Sequence, residues 1–294
     1  ANPATAATKA DLNNSQLFTR GSSIFISSAQ LGRFELGRQN NPWWETSTAF
    51  NNTGVNSFGW ANATALASNV AAQGLSGKYN TTGGVSTAAS VNTGGQGNIG
   101  NGSAFYGGLS YTAPVFNNLT FKVAKGIPKA AYDTPGNYSQ FAAASLNYVD
   151  GPLRVSYAVD NKTDVATNLA GKQTMLGATY AMGLYTFSLA QNNSRFSGSW
   201  GANGTGNLHD IDIAAYGVGY QLTPNWKLNG GYTVMKDKTV TDNKFTQTAV
   251  TGIYSFSKRT SWYVGYGRGK NEGASTLGPI YAGAPATDAA ASVA

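Results

Sequence analysis

About 12 stretches of this chain alternate apolar and polar residues with a period of two, and the links between them are alternately short and long. The stretches run 17–28, 33–39, 104–112, 119–126, 139–149, 153–160, 172–181, 183–191, 209–220, 226–234, 245–255 and 260–268. Short links stand at 29–32, 113–118, 150–152, 182, 221–225 and 256–259, and longer polar ones at 127–138, 161–171, 192–208 and 235–244. Because the two kinds take turns, the short links gather at one end of an up-and-down antiparallel sheet and the long ones at the other. Transmembrane β-barrels are built this way, with short turns at one rim and longer loops at the opposite rim.

A period of two sends neighbouring side chains to opposite faces. Leu119, Phe121 and Val123 therefore oppose Thr120, Lys122 and Ala124. Leu153, Val155, Tyr157 and Val159 oppose Arg154, Ser156 and Ala158, and Trp226, Leu228, Tyr232 and Val234 oppose Lys227, Asn229 and Thr233. Each strand has one apolar face and one polar face carrying a base. A polar lumen and a lipid-facing exterior account for this, although a soluble sheet with one wet face has the same parity. Composition favours the membrane reading. Charged residues are only 11% of the chain, whereas Gly numbers 37, Tyr 16, Phe 13 and Trp 6. No apolar run is long enough for a membrane helix, but transmembrane strands need only about 9–11 residues each. Tyr106, Tyr111, Tyr148, Tyr220, Trp226, Tyr254 and Trp262 gather near strand ends, where membrane barrels carry aromatic girdles.

One interval breaks the rhythm. Residues 40–103 lack alternation, are rich in Asn, Gly, Ser, Thr and Ala, and hold Glu45 as their only acid and Lys78 as a base. An insert this long inside a compact domain points to a functional loop. Its apolar piece 63–75 is a candidate short helix folded against the inward face.

Reaction chemistry finds no footing. The chain has no Cys and one His, His209, so thiolate and most zinc mechanisms are excluded. His209 beside Asp210 and Asp212 reads as a loop-edge residue. No catalytic, cofactor-binding or metal-ligating set emerges. The net charge of +7 comes from dispersed bases, which speaks against a nucleic-acid partner.

Three motifs are more specific: GRFELGRQ at 32–39, GGLSYTAPVFNNLTFKVAKG at 107–126, and YSFSKRTSWYVGYGRGKN at 254–271 followed by ASTLG. They resemble the general porins of Gram-negative outer membranes, especially the β-proteobacterial trimeric branch. The resemblance implies a barrel of about 16 strands in which one loop folds inward and narrows the pore. It implies a homotrimer in outer-membrane lipid that passes small hydrophilic solutes and ions. Arg20 matches an Arg that in the family reaches into the pore opposite that loop. The Arg that often opens the strand after the loop is replaced here by Ala104. The resemblance also implies strands upstream of residue 17 and a closing strand beyond the tail 281–294, which lacks alternation.

The sequence thus predicts an all-β, antiparallel up-and-down transmembrane β-barrel domain over 1–294, with 40–103 as a constriction loop and 281–294 as a low-complexity tail. The expected activity is an outer-membrane diffusion channel with a weak anion preference, not an enzyme, needing no cofactor. A surface adhesin acting through long loops is the alternative. The pore-lining candidates are Arg20, Arg38, Glu45, Lys122, Arg154 and Lys227.

Overall fold

The computed structural model describes residues 21–50, 53, 105–126, 140–164, 169–197, 209–238, 244–273 and 290–293. Among these residues thirteen strands form one sheet in strict sequence order, every neighbouring pair antiparallel. They are β1 (Ser22–Ser28), β2 (Gly32–Asn40), β3 (Phe105–Thr112), β4 (Leu119–Gly126), β5 (Gln140–Asp150), β6 (Leu153–Asp164) and β7 (Leu169–Met182). Then follow β8 (Tyr185–Ser197), β9 (His209–Gln221), β10 (Trp226–Asp237), β11 (Lys244–Ser255), β12 (Ser261–Glu272) and β13 (Ala290–Val293). Among the described residues one helix, α1 (Pro42–Ala49), stands between β2 and β3. The tail expected to lack strand character contributes β13, four small residues paired with Gly265–Arg268. A ladder needs only backbone groups, so it forms without side-chain alternation. The candidate helix at 63–75 lies outside the described residues.

Register fixes the faces, because a slip of one residue would reverse every side chain. Lys122 pairs with Ser145, Ser145 with Ala158, and Ala158 with Met175, so these share one face. The three strands read from alternation, 119–126, 153–160 and 226–234, all have their polar sets on this face. Burial here is inverted relative to a soluble sheet. On the polar face Ser156 is 1% exposed and Asp160 is 0% exposed, while on the apolar face Ile26 is 81% and Val250 56% exposed. Water does not select such an exterior, whereas lipid does.

The polar face is concave. Glu45 is bonded to β4 through Lys122, and eight residues later the Thr53 carbonyl accepts a hydrogen bond from Thr251 of β11. In a flat sheet β4 and β11 would stand roughly 34 Å apart, seven intervals of about 4.8 Å. A chain helical as far as Ala49 spans only roughly 20 Å over those residues. A sheet curled around the helix lets one short segment reach both walls without full extension of the chain and its side chains.

Short connections close one rim. Outward at that rim stand Tyr111, Tyr148, Tyr180, Tyr185, Tyr220, Trp226, Tyr254 and Trp262. Ring pairs Tyr185–Tyr220 at 4.9 Å and Trp226–Tyr254 at 5.1 Å join them laterally. All the sequence-selected aromatics belong to this girdle except Tyr106, whose side chain is outside the described set.

Candidate functional site

Helix α1 starts where local chemistry directs it. The Asn41 side chain caps it by accepting from the Trp43 amide at 2.9 Å, Pro42 supplies the fixed φ of a first turn, and Glu45 sits at the positive end of the dipole. Long-range contacts then pin it to the concave wall. Asn41 Nδ2 donates to Asp160 Oδ2 on β6 at 3.1 Å, and Trp43 Nε1 donates to Asn192 Oδ1 on β8 at 3.1 Å. Trp43, Ser47 and Phe50 are buried. Phe50 lies on Gly177 of β7 so closely that a Cβ there would stand 2.5 Å from the ring. The Arg154 guanidinium lies 5.5 Å from the same ring centroid. Asp160 and Arg154 are both on β6, so the helix runs along that strand toward the short-turn rim. After it the chain crosses to Thr251 on β11.

Beside the helix N-terminal half lies a cavity of about 390 Å³, whose lining includes Arg33, Glu35, Arg38, Glu45 and Lys122. Arg33 pairs with Glu35 at 2.9 Å, and Ser23 donates to the same carboxylate at 2.5 Å. Lys122 Nζ reaches both Glu45 oxygens, at 3.0 and 2.9 Å. Pairing with Ser22 and Gly107 keeps Arg38 at the parity of outward Phe34 and Leu36, yet beside Gly37, at φ +128°, it lines the cavity.

Of the six sequence candidates, the structure brings Arg38, Glu45 and Lys122 together. Arg154 lies apart, under the far end of α1, its Nε without a hydrogen-bond partner among the described residues. Lys227 lies across Gly219 near the short-turn rim, away from the helix. Arg20 falls outside the described residues. The pairing of Lys122 with Glu45 also changes the electrostatics. Both were pore-lining candidates, and as a pair they are close to neutral.

Sequence reasoning missed α1 and its anchors. The Asn41–Pro42 pair with Glu45 in the first turn was the available signal. It also missed Ile211, Ile213, Met235 and Phe245, all 0% exposed on the concave face of β9–β11. That face is not uniformly polar.

A family model described as Gram-negative porin matches residues 4–274. Among solved structures, an anion-selective porin from Comamonas acidovorans superposes with a TM-score of 0.70 at 20% identity, covering 94% of this chain and 75% of that one. The outer-membrane OmpT of Vibrio cholerae superposes at 0.59 with 14% identity, covering 92% and 77% respectively. Salmonella typhi OmpF, solved with daunomycin, also gives 0.59, with 13% identity and coverage of 93% and 76%. No curated protein sequence matches.

Proposed function

This chain belongs to the Gram-negative porin family and is an outer-membrane channel of up-and-down β-barrel fold, and on that footing we propose that it is a passive diffusion pore for small hydrophilic solutes and ions with a weak preference for anions. The observation that carries the preference is the cavity beside α1. Arg33, Arg38 and Lys122 there face Glu35 and Glu45, one base in excess, while farther along the same wall Arg154 and Asp160 offset one another. Walls of low dielectric focus such a field and raise the local concentration of the opposite ion. The paired charges keep the excess small, so the preference is a bias and not a filter. The anion selectivity named for the Comamonas porin is in line with this reading. Channel chemistry also leaves no role for a reaction, and the constriction performs its task by width and charge alone.

Residues 41–53 narrow the lumen in this reading, since they lean on β6–β8 and then cross to β11. A homotrimer belongs to the same proposal, and native mass measurement in detergent should give three chains per particle. The selectivity test is the zero-current potential of single channels across a KCl gradient at low salt. An anion-selective sign supports the proposal. A cation-selective or zero potential overturns the anion preference.

A further inference from the structure

An aromatic ring stands on the concave wall where polar side chains are the rule. Among the described strand residues, Phe25 is the one exposed aromatic side chain on that face, at 54%. Pairing settles its side. Phe25 lies opposite Glu35 and Glu35 opposite Ser110, in the register that also carries Lys122 inward. Lipid does not cover this face, so the ring's uncovered area is unfavourable in proportion to its size.

Arg33 covers part of the ring. Its guanidinium carbon lies 3.6 Å from the ring centroid, in stacking contact. Glu35 fixes the same group along one edge, through Nε at 3.0 Å and Nη2 at 2.9 Å. Ser23 in turn donates to the other Glu35 oxygen at 2.5 Å. A planar cation is thus held by a ring on one face and by a carboxylate on one edge. Its opposite face and its Nη1 edge are left over, and the Arg33 side chain is 40% exposed. Arg33 also lines the cavity of about 390 Å³ beside α1, in one cross-strand row with Thr112 and Lys122. A guanidinium stacks on aromatic planes in a way that a lysine ammonium does not reproduce.

We infer that this cavity takes aromatic carboxylates, the solute ring stacked on the open face of Arg33 and its carboxylate drawn by the surplus of base. The inference rests on the anion preference proposed above and adds a solute class to it. Charge, planarity and size each have a counterpart in the wall. A saturated ring of equal charge cannot lie flat on the guanidinium, and a neutral aromatic lacks the charge. The volume falls within the roughly 300–1,000 Å³ of small-molecule sites.

The test is partial block of single channels of the full chain at low salt, with benzoate, cyclohexanecarboxylate or benzyl alcohol added. Benzoate should halve the current at a concentration about two- to fivefold below that of cyclohexanecarboxylate, the worth of one exposed stack on a cation. It should also act below the concentration of benzyl alcohol. Arg33→Lys keeps the charge and removes the planar face, so the two acids should then block alike. Phe25→Leu should bring them together as well, and Phe25→Tyr should keep them apart. The readout is a ratio within each protein, so altered conductance in a variant drops out, and Arg33→Lys carries the test where Phe25→Leu forms no channels. Equal block by the two acids in the unaltered channel overturns the inference, as does an undiminished difference in Arg33→Lys. Block by benzyl alcohol at the benzoate concentration removes the carboxylate from the recognition and overturns it too. The zero-current potential in KCl alone separates the two readings. An anion-selective sign with equal block sinks only the aromatic site. A cation-selective sign with benzoate still the strongest blocker sinks only the pore's anion preference.

Discussion

Removing Glu45 should make the channel more anion-selective, and the size of the change follows from the Lys122 contact. Both Glu45 oxygens lie within 3.0 Å of Lys122 Nζ, so Glu45→Gln uncovers one positive charge at the wall of the cavity. For an ion passing about 7 Å away, a unit charge is worth about 0.6 kcal/mol at the dielectric of water and about 2.4 kcal/mol at an effective value near 20. The cavity is open to water, so the lower figure governs. It corresponds to roughly a threefold gain for chloride and a similar loss for potassium, so about a sevenfold rise in the chloride-to-potassium permeability ratio at most. Lys122→Gln uncovers Glu45 instead and should lower the ratio by a similar factor. The double variant should return close to the unaltered channel, since the pair is nearly neutral. Zero-current potentials of the four proteins in a KCl gradient form a double-mutant cycle. The screening length is about 8 Å at physiological ionic strength but about 3 Å at 1 M, so the differences should shrink in concentrated salt. If Glu45→Gln leaves the potential unmoved at low salt, the Lys122–Glu45 pair does not stand where ions pass.

Two backbone positions make further predictions. At Gly177→Ala the added methyl meets the Phe50 ring, and overpacking of this kind costs about 1–3 kcal/mol, lowering the midpoint of thermal unfolding. In a Phe50→Ala background the same change should be close to neutral; a full penalty there would show that the clash is not with Phe50. At Gly37→Ala the new Cβ would collide with the Ser22 carbonyl at a φ of +128°, a strain of about 1–3 kcal/mol. Where relief of that strain draws the neighbouring Arg38 out of the cavity, the zero-current potential should move toward cations as stability falls.

The elements legible in the sequence were those set by local alternation. Strands 119–126, 153–160 and 226–234 have the faces their patterns required, because register leaves no intermediate state between right and reversed. Helix α1 was less legible. An eight-residue helix spans about two turns, too few for periodicity to register, and its anchors come from strands distant in sequence, Asp160 and Asn192. Arg38 lines the cavity beside α1 although the parity of its strand pairs sets it with the outward residues, a placement alternation does not encode. Pairing of Lys122 with Glu45 was hidden for the same reason as the helix: it depends on where an insert folds, which alternation does not encode.

β9 shows what alternation can and cannot say about a membrane wall. Its even-numbered residues all face outward, yet they read Asp210, Asp212, Ala214, Tyr216, Val218 and Tyr220, charged at one end and apolar at the other. The odd-numbered residues run the opposite way, with buried Ile211 and Ile213 giving way to Ala215, Gly217 and Gly219. Parity is constant while chemistry exchanges faces. The exchange marks the upper edge of the lipid, because a carboxylate facing hydrocarbon is costly and one facing headgroups is not. On β10 the same edge falls between Val234 and Lys236, and on β12 between Tyr266 and Arg268. From Trp226 in the girdle to Val234 the strand rises about 26 Å, or about 20 Å across a membrane once tilted by about 40°. That is near the roughly 25 Å height of an outer-membrane apolar band. The girdle and the face exchange therefore set the lower and upper limits of one lipid layer.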